Sequence, residues 1–133
     1  MKKNILVDLS ATLLHHGHVR LLKKASKYGN VIVALTSDEE IKKNKGYTPE
    51  LNFSQRREIL MSIKYVSKVI KSKWLIKEDF LKKNKIHYLV HGNDNSNMVK
   101  KKKLIIFKRT KGISSTILRR RSKKIIEKNG QKF

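Results

Sequence analysis

Cysteine is missing from this chain altogether, which excludes disulfides and thiolate-based metal sites. Aromatic residues make up only 7% and do not interleave with the basic runs, so no platform for stacking nucleobases is visible. Long apolar runs are missing too: no stretch approaches the roughly 20 apolar residues of a membrane-spanning helix. The opening MKKNILVDLS is apolar only from Ile5 to Val7 before Asp8 intervenes, too short for a secretory signal. These absences set the expectation of a cytoplasmic protein with no membrane partner. Acidic residues are also scarce. Ten Asp and Glu stand against 33 Lys and Arg, a net charge of +23. That imbalance favours anionic partners: nucleic acid, nucleotides or phosphorylated metabolites. The cations are not confined to the basic stretch 117–133, so this is not a neutral domain with a basic tail. Lysine dominates and asparagine is frequent, a pair that also speaks for compositional bias.

What is present is enough for one core. The chain has 133 residues, 38% of them hydrophobic, which fits a single domain spanning 1–133. Short apolar runs predict strands at 4–8, 31–35, 66–70, 87–91 and 104–107. Between them, helical spacing or capping signals predict helices at 17–27, at 53–63, at 77–85 and after Ser114 or Ser115. Asp38 and Glu39 suggest the acidic first turn of a short helix, and residues 42–52, with Gly46 and the sole proline Pro49, read as a loop. Strands alternating with helices predict an α/β fold, a doubly wound domain with a five-stranded, mainly parallel, Rossmann-like sheet. Ligands in such folds sit beyond the carboxyl ends of the strands. The loops that matter are then 9–17, 36–52, 92–97 and 108–115.

Three of the five histidines fall within four residues, His15-His16-Gly17-His18. His15 and His18 stand at a predicted helix start, where free backbone N–H groups and the positive dipole end favour an anion. Gly17 leaves room for close approach. A phosphoryl group suits the constellation. A zinc site would want further ligands that no nearby carboxylate or cysteine supplies, and helix capping without function is the remaining reading.

The segment HHGH resembles the HxGH signature of the nucleotidyltransferase superfamily. Residues Arg109-Thr110-Lys111-Gly112-Ile113-Ser114-Ser115-Thr116 resemble the RTxGIS[ST]T motif of the small cytidylyltransferases, and Lys64-Tyr65-Val66-Ser67-Lys68-Val69-Ile70 resembles their RYVDEVI segment. The resemblance spans nearly the whole chain and is to the glycerol-3-phosphate cytidylyltransferase group, including a phosphonate-associated subgroup. It implies transfer of CMP from CTP to a phosphorylated alcohol, with release of pyrophosphate. His15, His18, Lys43 and Arg109 are implied as catalytic. Ser10, Ala11, Lys64, Gly92, Asp94, Thr110, Gly112, Ile113, Ser114, Ser115 and Thr116 are implied to join the histidines and Arg109 around the nucleotide. Lys43, Lys45, Trp74 and Lys77 are implied to face the acceptor. Mg²⁺ is implied as a cofactor carried by the triphosphate rather than by protein ligands, and a homodimer as the assembly.

The first motif departs from the family: Leu9-Ser10-Ala11-Thr12 stands where GTFD is usual. With HHGH, that form resembles the phosphonate-associated relatives. Glycerol 3-phosphate is therefore the first candidate acceptor and 2-aminoethylphosphonate the second. Two other functions stay open at this point. One is an adenylyltransferase of the same superfamily. The other is a nucleic-acid module using lysines 100–103 and the basic run 119–124, which the sparse aromatics disfavour.

Overall fold

The computed structural model describes residues 2–91, 97 and 99–130. Five parallel strands form one sheet: β1 (Asn4–Leu9), β2 (Asn30–Thr36), β3 (Lys68–Ser72), β4 (Tyr88–His91) and β5 (Leu104–Ile106), in the order β3-β2-β1-β4-β5. The helices are α1 (His16–Ser26), α2 (Asp38–Lys45), α3 (Phe53–Met61), α4 (Glu78–Lys83) and α5 (Ser115–Asn129), with a 3₁₀ turn at Lys101–Lys103. The expected doubly wound α/β fold is therefore the fold found.

The central strands are apolar on both faces because helices cover both. Ile5, Val7 and Leu9 of β1 pack with Val31, Val33 and Leu35 of β2 against Leu22 and Ala25 of α1 and Leu60 of α3. Leu6, Ile32 and Ala34 face the other way, against Ile76, Ile86 and Leu81 of α4. The chain winds outward from β1 to β3 and returns through α4 to β4 on the far side of β1. The strand order thus reverses between β1 and β4, where a crevice opens at the carboxyl ends.

Most boundaries shift by a residue or two, and two of the shifts have a direct physical reason. α2 continues to Lys45, so Lys43 and Lys45 are helical rather than parts of a loop. Ser37 caps it, Asp38, Glu39 and Glu40 fill its first turn, and Lys42, Lys43 and Lys45 fill its last, which complements the helix dipole. Gly46 ends it with a φ of 79°, a left-handed conformation that glycine adopts without penalty. The third strand begins at Lys68 instead of Val66. The N–H of Val66 is spent on the carbonyl of Ile63 in a turn, and strand-like bonding begins only when Ser67 N–H meets Val31.

Arg56 of α3 is fully buried, the largest such side chain. Its Nε donates to Leu51 O at 3.0 Å, its Nη1 to Ser10 O at 2.7 Å and Thr36 O at 3.0 Å, and its Nη2 to Asp38 Oδ1 at 2.6 Å. Each acceptor belongs to a segment at the top of β1 or β2 or to the α2–α3 connection. Arg56→Ala should therefore cost about 3–5 kcal/mol, the range for breaking a buried ion pair. Arg56→Lys should recover only part of it, because lysine lacks the planar fork. Urea denaturation of both variants measures this; a loss under 1 kcal/mol for alanine contradicts the assignment.

Candidate active site

A cleft of 430 Å³ opens at the carboxyl ends of the strands, over the β1–β4 reversal. It collects Ser10, Ala11, His15, His18, Lys45, Trp74, Arg109, Thr110, Ile113, Ser114, Ser115 and Thr116 from the residues singled out in the sequence. The two motif segments, about a hundred residues apart, are physically joined. Ser115 Oγ accepts from Leu13 N–H at 3.2 Å and donates to Leu13 O at 3.1 Å. That hydroxyl holds α5 against the histidine loop, while Ser115 also lines the cleft.

The histidines are fixed through their Nδ1 atoms. His15 Nδ1 accepts from Gly17 N–H at 3.1 Å, and His18 Nδ1 accepts from His15 N–H at 3.2 Å. Each neutral ring therefore carries its proton on Nε2, available as a donor. Their ring centroids lie 3.9 Å apart. Burial lowers the pKa of His18 to about 3, aided by His15, Arg109 and Lys45, and burial followed by the neighbouring His16 lowers that of His15. Both imidazoles are thus neutral hydrogen-bond donors at physiological pH, and Lys45 and Arg109 are near enough to be felt by His18. Gly17 has a steric role beyond ligand approach. A Cβ there would come within 2.8 Å of the His15 ring and 3.2 Å of Ile113.

Ser114 caps α5 by accepting from Ile117 N–H at 3.0 Å, which turns the helix N-terminus and its partial positive charge to the cleft. Ala11 adopts a φ of 47°, strained for a residue with a Cβ. It is held there next to Ser10, whose carbonyl is bound by Arg56. Trp74 is placed by a backbone hydrogen bond to Glu40 Oε1 at 2.9 Å, and Lys45 Nζ lies 5.7 Å from its ring centroid.

Several expected residues are elsewhere. Lys43 lies on the exposed side of α2 and does not line the cleft; Lys45, two positions on, does. Lys64 precedes β3, at the amino end of the strands and so opposite the cleft, with its ammonium 5.3 Å from the Tyr65 ring centroid. Lys77 is exposed at the start of α4 and outside the lining, and Gly112 forms a turn beside it rather than part of it. Gly92 and Asp94 lie outside the described residues. Each basic run has a member paired with an acid. Lys103 pairs with Glu78 at 3.0 Å. Arg119 binds Glu50, donates to Thr12 Oγ1 at 2.8 Å and lies 4.6 Å from the Tyr47 ring.

Sequence reasoning missed three contributors. Arg56 carries no motif-level signal apart from its place in an amphipathic helix. Arg119 stands out in the sequence only as part of the basic run 119–124, yet it lines the cleft. Its hydrogen bond to Glu50 holds that carboxyl below the ordinary range and raises the guanidinium above its own. Asp8 looked like the residue that ends an apolar strand, yet its side chain is in the cleft beside His91 and Asn97.

The depressed pKa of His18 has a consequence for stability. In the unfolded chain this residue takes up a proton near pH 6.5, whereas the folded protein resists it down to about 3. The unfolded state therefore binds more protons across that window, and His18 makes the fold less stable as pH falls through it. Thermal melts at pH 7.5 and 5.0 should show a smaller pH-dependent drop for His18→Gln than for wild type. An equal drop in both removes the burial argument.

Comparison with known proteins agrees with this geometry. The family model described as cytidylyltransferase-like matches residues 11–121. The chain is 39% identical over 122 residues to glycerol-3-phosphate cytidylyltransferase of Staphylococcus aureus, covering 86% of this chain and 90% of that protein. Ethanolamine-phosphate cytidylyltransferase of Arabidopsis thaliana is 33% identical over 128 residues, covering 84% of this chain and 30% of the longer relative. Among solved structures, the lipopolysaccharide core biosynthesis protein from Thermoplasma volcanium matches with a TM-score of 0.67 at 18% identity, over 81% of this chain and 98% of that one, a likeness of fold. With a histidine pair and a distant serine-rich helix start joined over one cleft, and with the family match running through both, the chain belongs to the cytidylyltransferase-like family of nucleotidyltransferases.

Proposed function

We propose that the cleft transfers CMP from CTP to a small acceptor bearing a phosphate, releasing pyrophosphate. A phosphate oxygen of the acceptor attacks the α-phosphorus of CTP; the new P–O bond forms as the bond to the β-phosphate oxygen breaks and its electron pair leaves with pyrophosphate. Such a displacement needs positioned charge more than a protein nucleophile. The observation that carries the reading is the pair of neutral imidazoles whose Nδ1 atoms are tied to the backbone. Their Nε2–H groups can donate to the α-phosphoryl oxygens and the bridging oxygen without first losing a proton.

The other residues divide the remaining charge. Arg109, Thr110 and the start of α5 with Ser114 and Thr116 suit the β- and γ-phosphates. Ser10 and Ala11 suit the nucleoside side of the same loop. Lys45 and Trp74 suit the acceptor, with Lys45 taking the part expected of Lys43. Mg²⁺ belongs to the proposal as a counter-ion of the triphosphate. No cluster of three metal-ligating side chains occurs among the described residues, so the phosphates would hold it and it would neutralise their charge. A phosphonate is an isostere of the acceptor phosphate and fits the same chemistry. A homodimer and a cytoplasmic setting complete the proposal; no helix among the described residues is long and apolar enough to cross a membrane.

His18→Ala should lower turnover at least about a hundredfold, the usual cost of removing a donor to transition-state charge, with an unchanged circular dichroism spectrum. His15→Ala should follow the same direction. Pyrophosphate release with CTP, Mg²⁺ and a panel of acceptors measures both, and ATP in place of CTP checks the base. Activity within a few-fold of wild type for both variants removes the phosphate-site reading.

Arg109→Ala should weaken CTP binding at least about tenfold, as for loss of a charge-assisted contact. Neutralising lysines 100–103, away from the cleft, should change it by less than about twofold. Calorimetric titration with CTP distinguishes a formed site from general positive charge, which would make the two losses equal.

A further inference from the structure

The cleft is lined by six cationic side chains and, among the described residues, by a single acid, Asp8. A carboxylate in a site built for two anionic phosphates works against them unless it meets something else. It is not a surface accident: the Asp8 side chain is 8% exposed. It is also held in place. Asn97 Nδ2 donates to Asp8 Oδ2 at 3.0 Å, and His91 Nε2 lies 3.4 Å from the same oxygen. Oδ1 has no hydrogen bond among the described residues.

The location assigns Asp8 to the acceptor side. Along β1, Ile5, Val7 and Leu9 face α1, the helix that carries the histidines. Leu6 faces α4, and strand alternation puts Asp8 on that same face. Asn97 ties this corner to the segment after β3, its Oδ1 accepting from Ile76 N–H at 2.7 Å. That segment also carries Trp74, which lines the cleft. Phosphate-directed donors and the acid thus approach from opposite faces of the sheet.

We propose that Asp8, oriented by Asn97 and His91, binds a cationic amino group of the acceptor, so that the preferred acceptor is zwitterionic: an amino-alcohol phosphate or an amino-phosphonate rather than a polyol phosphate. The inference rests on the cytidylyltransfer reading above. A buried carboxylate in the lining of a cleft gains a charge-assisted bond from an ammonium. A neutral hydroxyl offers less and leaves the acid's charge uncompensated among bound phosphates.

The test is a comparison of kcat and KM with CTP and Mg²⁺ for four acceptors: ethanolamine phosphate, 2-aminoethylphosphonate, glycerol 3-phosphate and ethyl phosphate. Wild type should favour the amino acceptors in kcat/KM by at least about tenfold. Asp8→Asn, which keeps the side-chain shape, should cut that preference at least about tenfold, mainly by raising KM for the amino acceptors, and Asp8→Glu should restore part of it. CTP binding by calorimetry reports that each variant is folded; should Asp8→Asn fail there, Asp8→Glu and the wild-type preference carry the test. Equal use of all four acceptors, a preference for glycerol 3-phosphate, or an amino preference that survives in folded Asp8→Asn overturns the inference while leaving cytidylyl transfer standing. Product from none of the four, despite CTP binding, overturns the transfer reading and this inference with it.

Discussion

A single buried guanidinium holds the top of this fold together. Arg56 bonds the carbonyls of Ser10, Thr36 and Leu51 and the carboxylate of Asp38. The carbonyls of Ser10 and Thr36 lie where β1 and β2 have ended or are ending, and that of Leu51 lies between α2 and α3, so neither sheet nor helix bonding serves them, and buried unpaired carbonyls are costly. Asp38 is shared further: its Oδ2 accepts from Phe53 N–H at 3.1 Å, at the start of α3. The loop after β1, the end of β2, the start of α2 and the start of α3 are thereby fixed to one planar group. Ala11 can hold its left-handed backbone beside the cleft because the residue before it is anchored this way. Strain of that kind persists where the surroundings over-determine it.

The second organising contact is the clamp between the two motif segments. Ser115 bonds both polar backbone atoms of Leu13, and Ile113 sits close enough to Gly17 that an added methyl would crowd it while colliding with the His15 ring. The histidine loop and the start of α5 are therefore one rigid wall. This matters for chemistry that depends on position. Donors fixed before substrate arrives need no reorganisation as charge develops. The same wall explains why the histidines are neutral. Burial and nearby cations, Arg109 and Lys45 among them, disfavour imidazolium at His18.

How much of this was legible in the letters varies residue by residue. The strands of the centre were plain, because a parallel strand buried on both faces is a short unbroken apolar run, as in NILV and NVIVAL. His15, His18, Arg109 and Ser114 could be named because their motifs are contiguous. Lys43 and Lys45 could not be told apart, since two residues of helix rotate side chains to different sides of it, and the continuation of the helix through Lys45 was hidden by its having a single buried residue, Ile41. Lys64 was misplaced because likeness to a motif does not say which end of a strand a residue occupies. Lys77 stands outside the lining for a related reason: nearness in sequence to Trp74 does not put both side chains at one cleft wall.

The sequence by itself determined the element types, the doubly wound class, the grouping of the histidine pair in one contiguous motif and the family. These depend on periodicity and on short contiguous patterns, which the order of residues contains. Tertiary structure alone decided the rest. It chose Arg56 from five consecutive polar positions on α3, 54–58, as the one turned inward. It spent the Ser115 hydroxyl on a backbone, and it locked Arg119 to Glu50. It also placed Asp8, Asn97 and His91 together at the reversal of strand order. Each of those outcomes brings together residues distant in the chain, and which polar group satisfies which is settled only when the backbone has fixed who is within about 3 Å of whom.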